Sequence, residues 1–174
     1  MGADALVVTT AVAGKLLDLN RHTLSGSGDA VFQICKEYGF TVKNGTVENT
    51  GDGDAIQLTR GDNVYGIGTY ADGNLTLEDV TVTAKTGWAV RVAYQKGDTE
   101  GTLNPYNAEL YIKSGTYKGG LNGGVARTIR ISGGVFIANP DTHSVYYPGS
   151  GLSVTGLVGH LKDMLAGGFT YADA

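Results

Sequence analysis

The sequence predicts an all-β fold: a single-stranded right-handed parallel β-helix (solenoid) of about five rungs with a short C-terminal capping helix. One strand-and-turn pattern recurs five times, and apolar residues occupy the same places in each copy. Such internal repetition is typical of stacked, repeated units. The chain also contains 28 glycines in 174 residues, well above the average share of about 7%. Glycine at this level without a collagen period indicates many turns.

The five copies align without gaps at residues 17–24, 40–47, 75–82, 110–117 and 129–136. The first and third places are apolar and alternate, as on one face of a strand, and the polar places after them predict a corner. In a parallel stack each apolar place would form a column inside the fold. The predicted columns are Leu17, Phe40, Leu75, Leu110 and Ile129; Leu19, Val42, Leu77, Ile112 and Ile131; and Leu24, Val47, Val82, Tyr117 and Phe136.

Three other places are predicted to point outward. The second reads Asp18, Thr41, Thr76, Tyr111 and Arg130, the fourth reads Asn20, Lys43, Glu78, Lys113 and Ser132, and the seventh reads Thr23, Thr46, Thr81, Thr116 and Val135. In the fourth column Glu78 would lie between two lysines. We expect this exposed ion-pair ladder to contribute only about 0.2–1 kcal/mol per pair.

A second strand in each repeat is predicted at residues 32–34, 56–58 and 90–92, with residues 144–147 as its last copy. The glycine-rich run at 119–124 is interpreted as a flexible turn. Copy starts are 23, 35, 35 and 19 residues apart, so the two long intervals contain insertions, at 59–73 and 93–108. Insertions in repeat proteins tend to lie on one face, which is often the binding face.

These patterns divide the chain into three parts. Residues 1–14 form a leading strand at the N-terminal edge, residues 15–151 form the rungs, and residues 152–174 form the C-terminal cap. Within the cap, apolar residues at helical spacing from Leu157 to Leu165 predict a short amphipathic helix that ends at Gly167 and Gly168.

The phrases Leu17-Asp-Leu-Asn-Arg-His-Thr-Leu24, Ile131-Ser-Gly-Gly-Val-Phe136 and Met164-Leu-Ala-Gly-Gly-Phe-Thr-Tyr171 resemble a known family. They are similar to pectate-lyase-like right-handed β-helix domains of Gram-positive, often gut-dwelling, bacterial cell-surface proteins. The resemblance spans roughly residues 15–171 and implies a secreted or wall-attached, extracellular setting. Phage tail fibres and spikes use similar coils. Arg21 stands where that family usually has glycine, which puts the shape of the first corner in doubt.

The sequence offers no catalytic constellation, so we expect no enzyme activity and no cofactor. Asp18 and Arg130 would lie at opposite ends of the stack, about 19 Å apart at the usual strand spacing, beyond reach for one proton transfer. The single cysteine and the three histidines are dispersed and predict no metal cluster. Asp52 and Asp54 are weak calcium candidates in a turn-like run, but two carboxylates alone do not supply the six to eight oxygens that calcium takes.

Charge and hydropathy exclude two classes of partner. The net charge is −4 and no basic patch stands out, so nucleic acid is not an expected partner. The longest apolar run near the N-terminus, Ala5 to Ala13, is interrupted by two threonines and is too short to span a bilayer, so no membrane insertion is expected.

Aromatic residues are the candidate ligand contacts. Those in the two insertions and after the last second strand are Tyr65, Tyr70, Tyr94, Tyr106, Tyr146 and Tyr147. Exposed rings stack on the apolar faces of sugars, and the tyrosine hydroxyl adds a hydrogen bond. The alternative is that these rings fold down and cover the sheet beneath them.

The sequence therefore predicts a non-catalytic extracellular module, an adhesive, glycan-contacting or spacer element of a surface protein, with a glycan or another host or cell-surface ligand as partner. Two alternatives remain. One is a self-assembling structural subunit of fibre or phage-tail type, a homo-oligomer formed through the coil ends. The other is a truncated polysaccharide lyase-like domain.

Overall fold

The computed structural model describes residues 6–8, 15–34, 39–58, 74–92, 106–122, 126–137, 145–146 and 167–168. The described strands form two sheets in which every pairing is parallel. In chain order they are β1 (Leu6–Val8), β2 (Lys15–Asp18), β3 (Thr23–Gly26), β4 (Ala30–Ile34), β5 (Gly39–Asn49), β6 (Asp54–Leu58), β7 (Asn74–Ala84), β8 (Val90–Val92), β9 (Tyr106–Ile112), β10 (Gly115–Lys118), β11 (Leu121–Asn122), β12 (Ala126–Ile131), β13 (Val135–Ile137) and β14 (Val145–Tyr146).

One sheet has six strands in the order β1-β4-β6-β8-β11-β14. The other has eight strands and is built around two long strands of 11 residues each, β5 and β7. The first half of β5 pairs with β2 and its second half with β3. On the far side of β7, the first half pairs with β9 and the second half with β10. Strands β12 and β13 then add to β9 and β10.

The predicted single-stranded right-handed β-helix with a capping helix is wrong as a fold class. The described strands form two parallel sheets, and the part of the chain that the structure describes contains no helix. The predicted corner is the reason for the error. Strands β5 and β7 continue through it, with Asn44 and Asp79 inside the strands at left-handed φ angles of 56° and 49°.

The predicted C-terminal helix lies outside the described residues. Of the proposed cap at 152–174, the structure describes only Gly167 and Gly168, which form a turn. The leading segment at 1–14 contains β1, which pairs with β4 at one end of the six-stranded sheet.

The predicted columns are confirmed for the four later copies. Phe40, Leu75, Leu110 and Ile129 are register partners in sequence, and so are the residues of the third and eighth places from β5 onward. All of them are buried except Phe136, which is partly buried against the core. Burying one large aliphatic side chain stabilises the fold by about 1.5–3 kcal/mol, so these columns hold the sheet together.

The first copy is offset from its predicted alignment by two residues. Leu17 pairs with Val42 and Lys15 takes the place opposite Phe40, whereas Leu24 pairs with Val47 as predicted. The two extra residues are accommodated where Asn20 and Arg21 adopt left-handed φ angles of 46° and 65°. A shift of two keeps every side chain on its original face, so the apolar pattern does not reveal it.

The second-strand prediction is confirmed at β4, β6 and β8, which pair in the expected register. The glycine-rich run interpreted as a flexible turn instead contains β11, which pairs with β8 and β14. Its Leu121 is fully buried. A strand of two residues is too short to show an alternating pattern, so its flanking glycines dominated the prediction.

The core lies between the two sheets. The ring of Phe32 in the six-stranded sheet meets the ring of Phe40 in the eight-stranded sheet at a centroid distance of 5.4 Å. Near the other end Tyr117 stacks on Phe136 at 5.0 Å. The Tyr117 hydroxyl donates to the Ser114 carbonyl oxygen at 2.8 Å, and burial raises the pKa of this tyrosine.

Candidate ligand-binding surface

The two calcium candidates differ in their surroundings. Asp54 is buried, and its carboxylate accepts hydrogen bonds from the Trp88 backbone N–H at 2.9 Å and from the Gln57 side chain at 2.7 Å. The Arg91 guanidinium lies 3.5 Å from the same carboxylate. This arrangement joins β6 to the start of β8 and satisfies a charge that would otherwise be costly to bury.

Asp52 is exposed and accepts a hydrogen bond from the Thr86 hydroxyl at 3.4 Å. Within the described ranges, no group of three or more His, Cys, Asp or Glu side chains is placed to hold a metal ion. The Asp54 carboxylate is thus occupied by hydrogen-bond donors and a guanidinium, whereas Asp52 has one hydroxyl neighbour.

An exposed aromatic ring lies on the outer face of the eight-stranded sheet. Tyr111 is 36% exposed and lies between the fully buried Leu110 and Ile112 of β9. Its register partners are Thr76 on β7 and Arg130 on β12. Successive side chains of a strand point to opposite faces, so the Tyr111 ring lies on the outer face. A strand is paired with β9 on each side of it.

A carboxylate on the same strand anchors the Tyr111 hydroxyl. The hydroxyl donates to Glu109 Oε2 at 2.9 Å. This hydrogen bond is the main cause that raises the pKa of Tyr111 above its ordinary value. The bond holds the hydroxyl, while the face of the ring stays accessible to a ligand.

Two cations flank the ring. The Lys113 ammonium lies 3.2 Å from Glu78 Oε2, in an ion pair whose side chains are both exposed. The Arg130 guanidinium donates to the Ile129 carbonyl oxygen at 3.1 Å, and among the described residues it forms no ion pair with a carboxylate. Arg130 therefore has donors available next to the ring.

These side chains border an open cleft of about 490 Å³. Its lining residues are Thr76, Tyr111, Ile112, Lys113, Arg130 and Ser132. The volume lies within the range of about 300–1,000 Å³ that is usual for small-ligand sites. An aromatic ring beside hydroxyl, ammonium and guanidinium donors is suited to bind a ligand that has an apolar face and polar edges.

The ion-pair ladder differs in part from its prediction. Glu78 pairs with Lys113 as expected, but Lys43 pairs with Asp18 at 3.5 Å. The two-residue offset of the first copy explains this difference, since it brings Asp18 opposite Lys43 in place of Asn20.

A second, larger groove of about 620 Å³ follows the corners. The two carboxylates that line it, Asp18 and Asp79, already accept hydrogen bonds from neighbouring groups. Asp18 accepts from the Asn20 backbone N–H and the Asn44 amide, which together with Lys43 lower the pKa of Asp18. Asp79 accepts from the Ser114 hydroxyl at 2.7 Å. These carboxylates are already hydrogen-bonded within the chain, so the Tyr111 cleft is the better candidate for a ligand.

Four of the six tyrosines predicted as ligand contacts lie outside the described residues. They are Tyr65, Tyr70, Tyr94 and Tyr147. Tyr106 begins β9 in the eight-stranded sheet, whereas Tyr146 ends β14 in the six-stranded sheet. Their role as ligand contacts stays a prediction.

Sequence reasoning placed Tyr111 outward but did not select it as a candidate contact. The sequence signal for its outward position was the alternation of apolar and polar places, since Tyr111 lies between Leu110 and Ile112. The neighbours that make Tyr111 a candidate contact are Thr76 on β7 and Arg130 on β12. The sequence does not identify them until the register of the three strands is known.

Comparison with protein-family models, with curated proteins and with solved structures found no match. Among the described residues, no helix has the length and apolar character needed to cross a membrane.

Proposed function

We propose that this chain is a non-catalytic module of an extracellular surface protein and that it contacts glycans through the outer face of the eight-stranded sheet around Tyr111. The exposed Tyr111 ring beside Arg130 and Lys113, over an open cleft, is the observation that supports this proposal most directly. The extracellular setting rests on the sequence resemblance described above.

A sugar ring matches the chemistry of this surface. Its apolar face of C–H groups stacks on an aromatic ring, while its hydroxyl groups accept hydrogen bonds from side chains at the rim. Thr76, on the neighbouring strand, supplies a hydroxyl that both donates and accepts. The parallel strands on either side fix the contacts before binding, which reduces the entropy cost of association.

The test is a glycan array followed by calorimetry on each glycan that binds, with wild type, Tyr111→Ala and Tyr111→Phe. We expect Tyr111→Ala to weaken binding by about three- to tenfold, because an aromatic contact contributes about 0.5–1.5 kcal/mol beyond the area that it buries. Tyr111→Phe keeps the ring and should retain most of the affinity. Lys118→Ala, an exposed cation on β10, is the matched control and should bind as wild type does.

The six tyrosines predicted from the sequence provide the competing location. Alanine variants of Tyr65, Tyr70, Tyr94, Tyr106, Tyr146 and Tyr147 are measured on the same array. Loss of binding in one of these variants, with Tyr111→Ala unaffected, would move the contact away from the β9 surface. Absence of any bound glycan at millimolar concentration would leave the spacer role alone.

A further inference from the structure

Among the described strands, each sheet has an edge strand without a second neighbour at both ends of its strand order. At one end β1, β2 and β3 each pair on one side only, and at the other end β12, β13 and β14 do the same within the described part of the chain. Open strand edges are sites where another chain adds by backbone hydrogen bonding.

The parallel arrangement makes these two ends complementary to each other. All described pairings in both sheets are parallel. A second copy that is translated along the stack therefore presents β1, β2 and β3 in the same direction as β14, β12 and β13. Continuing the existing order would pair β12 with β2 and β13 with β3 of the second copy.

Three inner-column residues on the edge strands are only partly buried, although Ile129 and Ile131 of β12 are buried. Leu17, Leu24 and Phe136 are the hydrophobic residues that pack on the core and remain only partly buried. In the continued register Phe136 of one copy would meet Leu24 of the next, and Ile131 would meet Leu17. Each pair would extend a column that is already apolar through its length.

The outer face of the eight-stranded sheet becomes apolar at its edge strand β13. The seventh place is threonine from β3 through β10, but in β13 it is Val135, which is 52% exposed. Ile137, two residues on, is 45% exposed, and at the opposite end Leu16 is 56% exposed. With Tyr111, these are the exposed large hydrophobic residues among those whose exposure the structure describes.

Charge at the two ends is also complementary. Arg130 on β12 has no carboxylate partner among the described residues. In the continued register Arg130 lies opposite Leu16 and diagonal to Asp18 of the second copy, within reach of long side chains. Asp18 already accepts from Asn20, Asn44 and Lys43, but its side chain is 41% exposed, so a guanidinium in solvent would still be attracted by its charge.

One residue opposes this contact. Lys15 occupies the inner column opposite Phe40, and the continued register would place it against Ile129 of the neighbouring copy. Inward-pointing charges on an edge strand are a known means of limiting edge-to-edge pairing. A junction that buries Lys15 has to desolvate its ammonium or direct it back to water.

We propose that copies of this chain associate head to tail through the β2–β3 edge of one and the β12–β13 edge of the next, in register with the apolar columns, and that Lys15 keeps this association weak. The contact is heterologous, so it extends into a filament unless the rotation between copies closes a ring. This inference does not depend on the glycan surface.

Sedimentation velocity over a wide range of protein concentration tests the proposal. We expect wild type to associate reversibly and Lys15→Leu to associate about tenfold more tightly or better, since an apolar side chain replaces a charge in the junction. Lys85→Leu is the matched control because this exposed lysine follows β7, away from both edges. It should associate as wild type does.

Charge reversal tests the register. Arg130→Asp and Asp18→Arg should each weaken association, because each places like charges together, and the double variant should restore it. Circular dichroism checks that every variant remains folded. A Lys15→Leu protein that is monomeric at all concentrations, or a double variant no better than the single ones, would overturn the proposal and point to another covering of these edges.

Discussion

Backbone geometry limits the choice of residue most severely at Gly115. It begins β10 with a φ of 123°, and a Cβ added there would lie 2.1 Å from the Val80 carbonyl oxygen of β7. Both the dihedral angle and the close approach to a neighbouring strand therefore require glycine.

Gly115→Ala should lower the free energy of unfolding by about 2–4 kcal/mol, because strain in φ adds to a clash with backbone atoms. Gly39→Ala is the matched control, since no atom lies within 4 Å of the added Cβ. Chemical denaturation of both variants measures the difference. Equal stability of the two variants would contradict the described pairing of β10 with β7.

The Asp18 carboxylate provides a prediction on pH. The Asn20 backbone N–H, the Asn44 amide and the Lys43 charge lower its pKa below 3.8 in the folded chain. A lowered folded pKa means that the carboxylate stabilises the fold above the unfolded value. This contribution is lost as the pH falls through the folded pKa.

We therefore expect Asp18→Asn to be less stable than wild type at neutral pH and the difference to shrink as the pH falls below about 3.8. Urea denaturation at several pH values measures it, and NMR titration of the carboxyl carbon gives the pKa directly. A stability difference that grows on acidification would contradict the predicted sign.

At the scale of the strand, position within the sheet decides what a core residue contributes. Leu77 in β7 is fully buried and has neighbours on both sides, Val42 and Ile112. Leu17 in β2 pairs on one side only and is half-buried. The same side chain is thus found at the centre and at the edge of one column.

Leu77→Ala should cost about 2–5 kcal/mol, as expected for a cavity in a well-packed core, and Leu17→Ala about 1 kcal/mol. Equilibrium denaturation of the two variants under the same conditions gives the comparison. A loss at Leu17 as large as that at Leu77 would show that the β2 edge is covered in solution, as the head-to-tail contact requires at high concentration.

The apolar columns could be predicted because alternation identifies inward positions, and equal spacing between places identifies their partners. The two-residue offset of the first copy could not be predicted. Asn20 and Arg21 accommodate two extra residues, and a shift of two leaves every side chain on the same face of the sheet. The number of sheets could not be predicted either. Whether polar corner residues end a strand or bend it depends on backbone angles at Asn44 and Asp79, which the pattern does not contain.

At the scale of the whole molecule, the sequence predicted the candidate site only in part. It placed Tyr111 and Arg130 outward in one column, but the cleft beside them depends on three strands being adjacent. The same register that forms the cleft leaves Val135 and Ile137 exposed at the last strand. Site and edges are thus consequences of one stacking order, in which stability should decrease from the centre outward.

Hydrogen exchange measured by mass spectrometry tests this gradient. The backbone amides of β5 and β7 should exchange slowest, because these strands share the longest ladder of the described chain. Their exchange requires the most stable unit of the fold to open. Peptides covering β1, β13 and β14 should exchange fastest at low protein concentration, since each pairs on one side only. Raising the concentration should then slow exchange at β13 and leave β5 and β7 unchanged, because head-to-tail contact protects the edge and not the centre. Uniform exchange over all strands would contradict the gradient, whereas edge protection independent of concentration would instead contradict the association between copies.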